Sequence, residues 1–208
     1  MYIDPKNQSP NAFYHMLVQT VLPRPIAWTL TDNGTGEGIN RYNLAPFSFF
    51  NAVSAQPPLL MIAFTRKTDG SLKDTWTNLE TTGLATIHIT PVSMLDEMVD
   101  TSVELPHGQT ELARHNIKLI HDVPGFLPRI EGPKVAFYCQ RESLTLFEGG
   151  HSGMALCRIH HMYVADDTCT AEGKRLTVNA NALNPVARLG GQWYTSLGPL
   201  VERQRPKE

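Results

Sequence analysis

Residues Leu59–Phe64 (LLMIAF) form an unbroken apolar run between the Pro57–Pro58 pair and the polar segment TRKTDG. A run this short, stopped sharply at both ends, suits a strand buried on both faces better than a helix. It is one of a series. Ile26–Thr31 (IAWTLT) alternates and leads into Asp32–Gly38 (DNGTGEG), rich in turn residues. Leu84–Ile89, Lys134–Arg141, Ser143–Phe147 and Met154–Val164 have the same strand character, and Glu148–Gly153 has the composition of a hairpin turn. Helical spacing is scarce. Thr90 with Pro91 predicts a helix start, after which Met94, Leu95, Met98 and Val99 share one face. Asp74 opens a short helix that Gly83 ends, Gln109–Asn116 is a third, and Asn11–Leu17 a weaker fourth. Many short strands with few short helices predict a mainly β fold, a closed or partly closed barrel with helical trimmings.

The 208 residues suffice for one sizeable core, and no linker, repeat or low-complexity segment divides them. We therefore read residues 1–208 as a single domain. A net charge of −2 with scattered Lys and Arg leaves no footprint for nucleic acid. No apolar run approaches the roughly 20 residues that span a bilayer, and MYIDPKNQSP lacks the apolar stretch of a secretory signal. Cys139, Cys157 and Cys169 are an odd set without CxxC spacing, which fits buried free thiols and a reducing cytoplasm.

Familiar catalytic motifs fail on inspection. Gly34, Gly36 and Gly38 are spaced GxGxG with no helix behind them, so they predict a turn and not a phosphate loop. Position 154 is methionine, which breaks the GxSxG pattern around Ser152. His160 and His161, adjacent on a strand, should face opposite ways and offer no metal pair. No carboxylate pair is marked out for acid–base work.

Two other features point to a ligand. Lys73–Asp74–Thr75 stands at a predicted helix start with Arg66 and Lys67 upstream, and cations beside backbone N–H groups and a hydroxyl make an anion site. The alternative is an Asp74 helix cap with solvated lysines. Asn43–Phe50 (NLAPFSFF) then reads as a loop placing apolar rings beside polar main chain, as a flat aromatic ligand requires. Flavin is such a ring, and its phosphate needs an anion site nearby. Phe47 and Phe49 are otherwise core residues.

PRPIAWTLT (Pro23–Thr31), NLAPFSFFNAVSAQPP (Asn43–Pro58), KDTWTN (Lys73–Asn78) and ARLGGQWY (Ala187–Tyr194) occur in that order. Together they resemble the FMN-binding split-barrel proteins of the flavin reductase-like family, most closely its flavoredoxin-like branch, over about Leu22 to Tyr194. The resemblance implies a six-stranded Greek-key split barrel forming a homodimer with FMN near the subunit interface. It implies that Asn43, Leu44, Ala45, Pro46, Phe47, Ser48 and Phe49 line the isoalloxazine, with Trp28 and Thr29 beside it. Arg66, Lys73 and Thr75, at the helix start that includes Asp74, would take the phosphate. The Gly-Asp-His turn of nicotinamide-using relatives is Gly149–Gly150–His151 here. His151 is then either a catalytic contact for flavin or nicotinamide, or a solvated turn residue. The long segment before Asn43 is expected to reshape the cleft mouth. The implied activity is an FMN-dependent oxidoreductase drawing on NAD(P)H and passing electrons to free flavin, a metal complex or a partner protein. The alternatives are an electron-transfer flavoprotein of the flavoredoxin kind and a non-catalytic flavin-binding barrel. In such proteins the cofactor carries the chemistry, so the missing catalytic dyad is no objection.

Overall fold

The computed structural model describes residues 1–173, 175–204 and 206. Seven antiparallel strands form one sheet: β1 (Ala27–Asp32), β2 (Tyr42–Phe47), β3 (Phe50–Ala55), β4 (Pro58–Thr65), β5 (Leu84–Ile89), β6 (Val135–Leu146) and β7 (Ser152–Val164). Their order across the sheet is β2-β1-β5-β6-β7-β4-β3. Strands β2 and β3 lie at opposite edges, yet only Ser48 and Phe49 separate them in the chain. A flat seven-stranded sheet would hold its edges about 29 Å apart at roughly 4.8 Å per strand. Two residues cannot bridge that distance, so the sheet curls into a barrel split along the β2/β3 seam. The Ala63 amide closes the seam's turn by donating to the Phe49 carbonyl at 2.8 Å.

The sheet has one strand more than the six expected, because the segment read as a ligand loop is mostly edge strand. The β4 expectation also needs correction. Leu60, Ile62 and Phe64 are buried in the barrel, but Leu59, Met61 and Ala63 on the outer face are only half-buried. Two expected strands merge into β6, with a bulge at Glu142 opposite Leu156 and Cys157 of its partner β7. A second bulge at Ile159–His161 undoes the alternation expected of the histidines. Both rings lie against Phe126, at 5.5 and 5.2 Å between centroids.

Residues Pro10–Thr20 form α1, Asp74–Thr81 α2 and Leu95–Asp100 α3. Helix α1 outruns its sequence signal because the Ser9 hydroxyl caps it and Pro10 sits in its first turn. Thr90 does not cap α3. Its carbonyl accepts from the Val186 amide and Pro91 bridges Pro185, so the helix starts later, after the 3-10 turn Val92–Met94. Of the predicted 109–116 helix only the single turn Leu112–Arg114 forms.

Two cores result. The barrel interior gathers Ala27, Ile62, Phe64, Trp76, Leu79 and Ile87, with Trp76 of α2 plugging one end. Gly153 permits this plug, since a Cβ there would lie 2.6 Å from the Trp76 ring. The second core lies outside the barrel, where Trp28, Leu30 and Leu44 pack beneath Met98, Leu112 and Ile130. Strand β1 is thus buried on both faces. His88 of β5 binds the cover to the sheet. Its Nε2 accepts from the Ile130 amide at 3.1 Å, so Nδ1 carries the proton donated to the Trp28 carbonyl at 2.9 Å. Burial pushes the His88 pKa down to about 4 and keeps the ring neutral.

Candidate flavin cleft

At the β2/β3 seam the barrel's outer surface opens into a cleft of about 220 Å³. Ala45, Pro46, Phe47, Ser48 and Phe49 form one wall, Ala63 and Thr65 of β4 contribute to its lining, and the start of α2 closes one end with Lys73, Asp74 and Thr75. Phe47 also packs edge-on against Phe64 at 4.8 Å, so it serves the barrel core and the cleft together. Asn43 is buried and donates from Nδ2 to Thr75 Oγ1 at 3.0 Å. With that oxygen accepting, the Thr75 hydroxyl proton remains available to a ligand.

Helix α2 begins without a side-chain cap, and Asp74 stands inside its first turn and not at the cap. The Asp74 carboxylate instead accepts from Lys67 Nζ at 2.8 Å to both oxygens and lies 3.0 Å from His107 Nδ1. Lys73 Nζ pairs with Glu104, whose Oε2 also accepts from the Thr68 amide and hydroxyl. These partners hold the Glu104 carboxyl down at about 2, the Lys73 hydrogen bond foremost.

Five expected site residues lie elsewhere. Strand alternation turns Trp28 into the second core, where its Nε1 donates to Thr101 Oγ1 at 2.8 Å, and sends Leu44 to the same side. Thr29 points into the barrel interior, fully buried, beside Ala27. Trp28 and Thr29 pair through their backbones with Pro46 and Ala45, next to the cleft wall, but their side chains do not line it. Arg66 turns away to donate to the carbonyls of Gly150 at 2.6 Å and Gly70 at 3.0 Å. Lys67 takes the place in the cleft that Arg66 was expected to fill. His151 is exposed on the β6–β7 turn, beside a shallow depression it shares with Arg66 and with two residues of the cleft lining, Thr65 and Lys73. The residues that line the cleft do not include His151.

Glu111 is one of several lining residues that carry no signal in the sequence. It is 3% exposed, and its Oε2 accepts from the Leu44 amide at 3.3 Å. Burial pushes its pKa up to about 7, with Asp74 adding in the same direction. The folded chain therefore binds more protons at this group than the unfolded chain between about pH 4.5 and 7, and stability falls across that window as pH rises. Glu111→Gln keeps the acceptor and removes the buried charge. We expect denaturant titration to show the variant more stable than wild type at pH 8, by up to about 3 kcal/mol, and nearly equal at pH 4.5. Equal stability at both pH values would place the carboxyl in contact with water.

A barrel split along one seam, with a cleft there pairing an aromatic wall to a cationic helix start, defines the class of flavin-binding split barrels. The chain belongs to the flavin reductase like domain family, matching it over residues 19–178. It is 32% identical to the uncharacterized protein YwrF of Bacillus subtilis over 99% of this chain and 100% of that protein. The solved structure of nitrilotriacetate monooxygenase component B from Bacillus cereus is similar at a TM-score of 0.87 and 28% identity, covering 98% of each chain. Flavoredoxin of Desulfovibrio vulgaris shares the fold at a TM-score of 0.73 and 14% identity, over 98% of this chain and 97% of that one.

Proposed function

We propose that the protein is an FMN-dependent oxidoreductase that draws electrons from NAD(P)H and hands them to a separate acceptor. The observation that carries this reading is the pairing, in one cleft, of the Ala45–Phe49 wall with the uncapped start of α2. When bound, FMN supplies the reversible uptake and release of electrons. The chain's own part is to bind, orient and exclude water. Ala45, Pro46, Phe47 and Phe49 offer apolar surface to a ring, while the main chain at Ser48 and Phe49 offers polar groups to its edge. Lys73 and the Thr75 hydroxyl are positioned for the phosphate, with the first-turn N–H groups of α2 and its dipole behind them. Asp74 contributes its backbone, because its carboxylate is committed to Lys67. Glu111 holds a proton at the cleft wall near neutral pH.

The likeness to a protein that is component B of a monooxygenase supports an acceptor that is a different molecule, free flavin or a partner protein. A homodimer fits the half-buried apolar strip Leu59–Met61–Ala63, which continues from the cleft along β4, with Val53 50% exposed on β3. A monomeric mass by light scattering would contradict it. No helix among the described residues is long and apolar enough to cross a membrane. Three free thiols suit a cytoplasmic setting.

Anaerobic stopped-flow mixing of the FMN-loaded protein with NADH or NADPH tests the reading. Rapid bleaching of the flavin absorbance is expected with at least one of them. FMN that stays oxidised with both, yet is reduced by dithionite, would replace the reductase reading with the flavoredoxin-type one.

A further inference from the structure

Beside the flavin cleft runs a second groove of about 350 Å³, which shares Tyr14, Pro46, Ser48 and Ser102 with it. Its charge is unusual. Arg24 and Arg188 both line it, and no carboxylate among the described residues does. The two arginines stand directly opposite each other in the short antiparallel ladder that joins Arg24–Pro25 to Ala187–Arg188. Like charges facing across a strand pair repel. Arg24 is 5% exposed, and its guanidinium donates only to the carbonyls of Val18, Val21 and Leu189 and, at 3.4 Å, to Ser48 Oγ. Arg188 stacks on the Tyr194 ring at 4.4 Å and donates to the Tyr194 hydroxyl and the Gly191 carbonyl. Burial pulls both guanidinium pKa values below the usual arginine range, and Arg188 adds to the effect on Arg24. The cleft itself differs sharply, since Lys67 and Lys73 are each paired there with an acid.

Carbonyl contacts explain how these side chains are held. They leave a buried and a half-buried positive charge face to face, with no counter-ion among the described residues, in a groove that opens onto the candidate flavin site. We infer that this groove is an oxyanion subsite for the second substrate, which places that substrate's negative group between Arg24 and Arg188 while its reactive part reaches the cleft. Two sources carry this chemistry: the diphosphate of a dinucleotide donor and the carboxylate of an aromatic acid acceptor. Paired arginines recognise either through bidentate hydrogen bonds. The location beside the cleft rests on the FMN reading above, whereas the anion affinity does not.

Binding of inorganic pyrophosphate and of benzoate to the flavin-free protein is measured by calorimetry at constant ionic strength. At least one should bind saturably, and the tighter of the two identifies the source. Arg188→Gln should weaken that ligand about tenfold, with only partial recovery in Arg188→Lys, which restores the charge without the bidentate fork, while FMN affinity stays at the wild-type value. In the FMN-loaded protein, if pyrophosphate is the tighter ligand, Arg188→Gln should raise KM for NADH about tenfold and spare the neutral donor 1-benzyl-1,4-dihydronicotinamide. Failure of both anions to bind wild type would overturn the subsite, as would equal losses for the charged and neutral donors. Should Arg188→Gln fail to fold, the wild-type anion titrations decide alone. Anion binding without FMN binding would sink the flavin reading and leave the oxyanion site standing.

Discussion

Lys73→Ala should weaken FMN about tenfold to a hundredfold and leave riboflavin close to its wild-type affinity. The phosphate distinguishes the two ligands, and a charge-assisted hydrogen bond to it is worth roughly 1.5–3 kcal/mol. Without a ligand, Lys73 is paired with Glu104. Phosphate must displace that carboxylate, so the loss should fall toward the lower end of the range. Paired titrations of wild type and variant with each flavin provide the check. Equal losses for FMN and riboflavin would show that Lys73 does not meet the phosphate.

Trp28→Ala should cost about 3–5 kcal/mol of folding stability without lowering the FMN affinity of the molecules that remain folded. The indole is fully buried, packs within the core outside the barrel, and gives its Nε1 proton to Thr101. Truncation leaves a cavity and strips the buried Thr101 oxygen of its donor. Denaturant unfolding and an FMN titration on the same preparation separate the core role from a cofactor role. A loss under about 1 kcal/mol, or a stable protein with poor FMN binding, would return Trp28 to the cleft.

Local pattern carried much of the fold. Leu84–Ile89 is a strand over the same residues its sequence marks, because turn residues bound it and its partners tolerate only one register. The α2 start at Asp74 was legible for the same reason. Segment 43–49 was legible as important but misread as loop. Pro46 and Ser48 suggest irregular chain, yet an edge strand tolerates a proline whose missing N–H would otherwise go unpaired.

Strand period two put Trp28 and Thr29 on opposite faces, but which face meets the cleft depends on α3 and the 112–130 cover, far away in sequence. Glu111 gave no local signal, since its burial and its bond to Leu44 exist only once that cover has docked. Arg66 and Lys67 are neighbours of equal charge. Only the tertiary partners, Gly150 for one and Asp74 for the other, decide which enters the cleft. The same applies to Arg24 and Arg188, which lie almost a whole chain apart and meet in a ladder two residues long.

If the seam between β2 and β3 is an FMN site, the cofactor must saturate it. Titrating FMN into the flavin-free protein while following quenching of the flavin fluorescence tests it most directly. Saturable binding at one site per chain is expected, tighter than that of riboflavin measured under the same conditions. Fluorescence that rises linearly without saturation, or riboflavin bound as tightly as FMN, would contradict it.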